Sequence, residues 1–176
     1  YEAGVVDYNS SVSTSNSNNE TNWTGYTGDN IKLVCKKEQQ VWNYVTQNKA
    51  SELSRDMYKS EAKVTSDLIN SYAWDTAIVY IQAMGNSNYA NQTDGNGTLK
   101  NTGSTEDEKC KIFDMAGNLY ELTTEYSTNT TSSRAYPCTS RGGNYYGSGL
   151  YTSSRSSGSA TISYLGISFR PLLYVK

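Results

Sequence analysis

The sequence predicts an α+β fold, and three features carry that expectation. A short strand comes first, two segments with helical periodicity follow it, and the second half breaks into short apolar runs between long polar loops. Helices and strands therefore come in blocks and do not alternate, which is the order of an α+β domain and not of a parallel sheet with crossover helices. At 176 residues the chain fits one domain, residues 1–176, with one sizeable core.

The elements follow in chain order. Residues 1–30 read as a loosely ordered N-terminal segment, because 9–30 is dominated by Ser, Asn, Thr and Gly; Trp23 and Tyr26 would dock its end on the core. Ile31-Lys32-Leu33-Val34 reads as a short strand by its alternation and β-branched content. In the first helix Thr46 is the N-cap, and Ala50, Leu53, Ser54 and Met57 recur at i, i+3, i+4 and i+7, one face of an amphipathic helix. In the second, Ser71 is the expected N-cap, Trp74, Ala77, Ile78 and Ile81 line the buried face, and Gly85 is the stop. Residues 85–108 read as a long surface loop, in which Glu106, Asp107 and Glu108 make a solvated acidic turn. Cys110 to Phe113 and Leu119 to Thr123 read as short strands, 127–135 as another polar loop, and Ile167 to Val175 as one terminal strand.

Composition excludes much. No run of 18 apolar residues exists, so membrane insertion is not expected. The net charge of −2 comes without a basic block, which leaves no footprint for nucleic acid. Histidine is absent, which removes His-based acid/base and nucleophile systems and His-ligated metals. No two carboxylates are set together as a glycosidase needs. The three cysteines, Cys35, Cys110 and Cys138, form no CxxC. A Cys110–Cys138 bridge would contribute about 3 kcal/mol by loop entropy; the alternative is reduced thiols, with Cys35 unpaired and buried. The chain opens at Tyr1 and not Met, so it reads as a fragment or processed form.

Four segments stand in a definite order: Leu68-Ile69-Asn70-Ser71 with Trp74, then Ile112-Phe113-Asp114-Met115-Ala116-Gly117-Asn118-Leu119-Tyr120-Glu121, then Arg141-Gly142-Gly143-Asn144-Tyr145, then Gly166-Ile167-Ser168-Phe169-Arg170. Together, over residues 68–176, they resemble the formylglycine-generating-enzyme (sulfatase-modifying factor) family. The resemblance implies a C-type-lectin-like fold, a small twisted antiparallel sheet with two helices and long irregular loops. The chain departs from the family in reading GNLYEL for a GNVWEW-like strand and GISFR for a GFR-like end. It also lacks the cysteine pair that catalytic members carry after the Gly-Gly motif and the histidines of the iron-dependent relatives. The implied domain is therefore non-catalytic.

Within this fold the C-terminal half is most similar to the variable proteins of diversity-generating retroelements, whose hypervariable segment surrounds the Gly-Gly motif. Adenine-directed mutagenesis yields Asn, Tyr, Ser, Gly, Asp and Thr, and residues 144–164 have that makeup. The same residue types suit binding loops on physical grounds, since Tyr gives rigid amphipathic contact and Ser, Gly and Asn adapt their hydrogen bonds. The C-terminal region 140–176 is thus the expected binding region. Its expected contact residues are Asn144, Tyr145, Tyr146, Ser148, Tyr151, Ser153, Ser154, Arg155 and Tyr164, facing a protein or glycan ligand on a cell or particle surface. That implies an extracellular, cell-surface or phage-particle location. A polar loop with its tyrosines flat on the sheet is the plain alternative; the alternative functions are a fixed structural or adhesion module of a phage or cell-surface protein and, third, a diverged enzyme of the formylglycine-generating type. The resemblance also implies a structural calcium site at Asp114, Gly117, Leu119 and Glu121, oxygen ligands at short spacing; otherwise Asp114 caps a turn and Glu121 pairs with a buried arginine. Arg141 and Arg170 are expected to be structural.

Overall fold

The structure is a computed structural model that describes residues 1–6, 32–93, 97–104, 107–127, 138–147 and 149–176. It is α+β, with two helices and several small sheets. Strand β1 (Gly4–Val6) sits between β2 (Lys32–Val34) and β3 (Gln40–Val41), antiparallel to both. Helix α1 (Gln47–Asp56), strand β4 (Val64–Leu68) and helix α2 (Ser71–Ala83) follow. Strands β5 (Glu108–Lys109) and β6 (Ile112–Phe113) form a hairpin; its two turn residues, Cys110 and Lys111, both have positive φ, as a two-residue turn between twisted strands requires. Then come β7 (Tyr120–Tyr126), β8 (Cys138–Arg141), β9 (Arg155–Gly158), β10 (Ile167–Phe169) and β11 (Pro171–Val175).

The central sheet has the order β10-β7-β8-β9. It is mixed and not antiparallel throughout, because β10 runs parallel to β7. The expected terminal strand is two strands. Arg170 separates them, Pro171 starts β11, and β11 leaves the central sheet to pair antiparallel with β4. Single backbone bonds join the sheets: Ala3 N donates to Phe169 O at 2.9 Å, Ile69 N to Arg170 O at 3.0 Å, and Thr124 N to Ile69 O at 3.0 Å.

Side chains alternate across strands, and here the alternation divides the interior in two. Leu68, Leu122 and Phe169 point into a cluster with Ala3, Val5, Trp42, Val45, Ala50 and Ile167. Trp42 and Phe169 meet edge to face there, with centroids 6.0 Å apart. Ile69, next along the chain, belongs instead to a cluster with Trp74, Ile78, Ile81, Tyr89, Met115 and Ala116. Trp74 is fully buried, as its helical spacing predicts.

Several expectations are corrected. Residues 1–6 are not loose: Glu2 and Ala3 are fully buried and Gly4–Val6 is a strand, while 7–31 lie outside the described residues. The α1 cap is Thr46 as expected, its hydroxyl accepting from Lys49 N. The α2 cap is Asn70, whose side chain accepts from Ala73 N; Ser71 is the first helical residue and donates to Glu125. Gly85 stops α2 at φ 102°. The 85–108 segment is no mere surface loop. It holds a 3-10 turn, Tyr89–Asn91, with Tyr89 buried in the core. Asp107 is likewise buried, not solvated, and its carboxylate accepts from Tyr89 Oη at 2.7 Å and Ala116 N at 2.6 Å. Polar sequence concealed both positions, because a hydrogen-bonded buried acid looks solvated in a composition count. All three cysteines are unbridged thiols. Cys110 belongs to the hairpin turn and packs on the second cluster, whereas Cys138 opens β8 opposite Tyr126. Burial pushes the thiols of Cys35 and Cys138 up.

Candidate functional site

One end of the central sheet gathers the expected motifs. The β7–β8 register sets Glu121 opposite Arg141, the β8–β9 register sets Arg141 opposite Arg155, and the parallel β7–β10 register sets Tyr120 beside Ile167. The starts of β7, β9 and β10 and the end of β8 therefore share one edge. Gly142 turns the chain out of β8 at φ 75°, where a Cβ would lie 3.0 Å from Met115 O and 3.3 Å from the Trp74 ring. A side chain there would be strained and tight against both neighbours, which favours glycine.

On the first-cluster side of this edge stand five tyrosines. Tyr145 and Tyr146 meet edge to face, centroids 4.9 Å apart. Tyr146 hydrogen-bonds Tyr164, and a Cβ at Gly166 would meet the Tyr146 hydroxyl, so Gly166 leaves room for that contact. Tyr120 and Tyr164 pack against the first cluster beneath. Tyr44 is buried beside them and donates its N–H to Tyr164 O at 3.3 Å. Burial, and then the neighbouring Tyr146 hydroxyl, raises the pKa of Tyr120, Tyr145 and Tyr164. These three phenols are therefore neutral over the physiological range. Tyr146 is its exposed member, at 50%.

On the second-cluster side the same edge buries charge. Arg170 donates from Nε to Glu121 Oε2 at 2.7 Å and from Nη2 to Glu121 Oε1 at 2.5 Å, and also to the carbonyls of Phe113 and Asp114. Its guanidinium lies 6.0 Å from the Trp74 ring. Burial pulls Arg170 down, but the Glu121 carboxylate outweighs it and holds the guanidinium above its usual range. Glu121 is pushed up by burial and drawn back by Arg170. Glu2 accepts from Asn118 Nδ2 at 2.6 Å, and burial followed by the charges of Glu121 and Asp114 raises it well above the usual carboxylate range.

The residues expected to ligate calcium lie in this network. Both Glu121 oxygens face Arg170, and Asp114 Oδ2 accepts from Gly103 N at 2.7 Å. Gly117 and Leu119 are buried in the turn between them. The cation facing Glu121 is thus a guanidinium, which matches the alternative reading of Glu121. Among the described residues no three His, Cys, Asp or Glu side chains are grouped to hold a metal ion.

The expected contact residues separate. Tyr145, Tyr146 and Tyr164 come together. Asn144 is buried, at 4% exposed, and its carbonyl accepts from Gly147 N. Tyr151 to Ser154 forms a separate turn. Tyr151 N donates to Ser154 Oγ at 2.8 Å, and buried Thr152 anchors the turn through its N–H and hydroxyl to Gln92 O, at 2.9 and 3.1 Å. Tyr151 and Ser153 are exposed there, and Ser154 is half-buried. Arg155 reaches the α2 side instead, with Nε 3.3 Å from Glu125. Ser148 lies outside the described residues. Arg141 is buried and structural, held by Asp75 and by Ser153 O. Sequence reasoning missed Tyr44 and Tyr120. Alternation in Tyr120-Glu121-Leu122-Thr123 was a usable signal for Tyr120, because it puts Tyr120 on the face of Leu122. Nothing local marks Tyr44.

No protein-family model matches the chain, and no curated protein matches it in sequence.

Proposed function

We propose that this chain is a non-catalytic ligand-binding domain of C-type-lectin-like fold, of the hypervariable retroelement-diversified kind. It meets a protein or glycan on a cell or particle surface through the tyrosine cluster at the sheet edge. One observation carries the reading: Tyr145, Tyr146 and Tyr164 are grouped and seated on the core by Tyr44, Tyr120 and Gly166. Rings already fixed in place lose little entropy when a partner covers them. The buried Arg170–Glu121 pair fits a scaffold role, since that guanidinium bonds Glu121 and the carbonyls of Phe113 and Asp114 in the interior. Calcium is not carried into the proposal, because that guanidinium already meets both Glu121 oxygens.

The test is an array of bacterial surface proteins and glycans probed with the chain and with Tyr146→Ala. Signals that fall by roughly tenfold or more in the variant support the reading, as expected for a central aromatic anchor. Signals equal for both proteins contradict it.

A further inference from the structure

A cavity of about 360 Å³ opens on the α2 side of the sheet, away from the tyrosine cluster. That is the size of a small-molecule site. Tyr72 and Tyr126 stand at its margin, 88% and 64% exposed. Between them lie Ser71, Asp75, Glu125 and Arg155. Tyr174 adds a third ring nearby, its hydroxyl accepting from Asn70 Nδ2 at 3.3 Å.

The charges in this pocket balance. Glu125 takes the Ser71 hydroxyl and the Arg155 Nε, and Asp75 takes Arg141 from behind, with Arg155 Nη2 at 3.9 Å. Two carboxylates thus face two guanidiniums. An anion entering the pocket would meet Asp75 and Glu125, and a cation would have to displace Arg155. A neutral ligand rich in hydroxyls meets neither obstacle. Its hydroxyls donate to the carboxylates and accept from the half-exposed Arg155 guanidinium, while its C–H faces lie against the tyrosine rings. We infer that this pocket binds a neutral saccharide residue. The site is separate from the tyrosine cluster and does not depend on the function proposed for it.

The test is saturation-transfer NMR on the intact chain with the methyl glycosides of glucose, galactose, mannose and N-acetylglucosamine at millimolar concentration. Transfer to at least one of them is expected. Tyr72→Ala and Glu125→Gln should each weaken that binding by on the order of tenfold, and Tyr146→Ala should leave it unchanged. Glu125→Gln removes a partner from Ser71 and Arg155; if it unfolds, Tyr72→Ala decides alone, since so exposed a ring has no packing role. No transfer to any of the four glycosides overturns the inference, as does transfer indifferent to Tyr72→Ala or lost only in Tyr146→Ala.

Discussion

The two faces of one sheet edge are built from adjacent residues and have opposite chemistry. Tyr120 and Phe169 face the first cluster, and their neighbours Glu121 and Arg170 face the second. One face ends in tyrosine rings, of which Tyr146 is open to a partner. The other buries Arg170 with Glu121, Asp114 and Glu2. A strand's two-residue period lets a single segment serve as contact surface and as scaffold. The two roles should then separate under mutation.

The largest effect is expected on the charged face. Arg170→Met leaves Glu121 buried without its cation, which costs about 3–5 kcal/mol; urea unfolding measures it, and a loss below 1 kcal/mol would break the contrast. Gly142→Ala comes next, at about 1–3 kcal/mol, because it forces a Cβ into a positive-φ turn against Met115 O. Glu2→Gln sharpens the comparison through pH. The folded-state pKa of Glu2 is raised above its ordinary 4.5. Its contribution is therefore fully present below that value and is lost as pH rises through the raised one. Gln stays neutral and keeps an acceptor for Asn118. The variant should lose less stability than the parent between pH 5 and pH 8, and parallel stability–pH curves would refute the role assigned to Glu2. The smallest effect is expected at the contact face. Tyr146→Ala should alter unfolding free energy by no more than about 0.5 kcal/mol, while lowering the array signals by roughly tenfold or more. Chelation with EDTA should leave the Tm unchanged, because Arg170 faces Glu121 where a cation would.

Periodicity made α1, α2 and Trp74 legible, and the motif arginines were legible as structural residues. The strands were less so. Val64–Leu68 and Arg155–Gly158 lack an apolar alternation, and the second is Arg-Ser-Ser-Gly, which reads as loop until β8 supplies its ladder. Asp107 and Tyr89 were hidden because each is satisfied by the other across a polar stretch. The tyrosine cluster was half legible. Composition pointed to Tyr145, Tyr146 and Tyr164, but Tyr44 joins them only through tertiary contacts. Sequence proximity places Arg155 with them, but β9 turns it to the opposite face, where it meets Glu125 and Asp75.

The most direct measurement is the DNA sequence around the coding region. A near-copy of the segment encoding 140–170 is expected, differing only at adenines, beside a reverse-transcriptase gene. Its mismatches should fall on exposed positions such as Tyr146, Tyr151 and Ser153 and spare Gly142, Thr152 and Arg170. No such copy, or mismatches concentrated on those buried residues, would contradict the claim that this edge of the sheet is a diversified binding face.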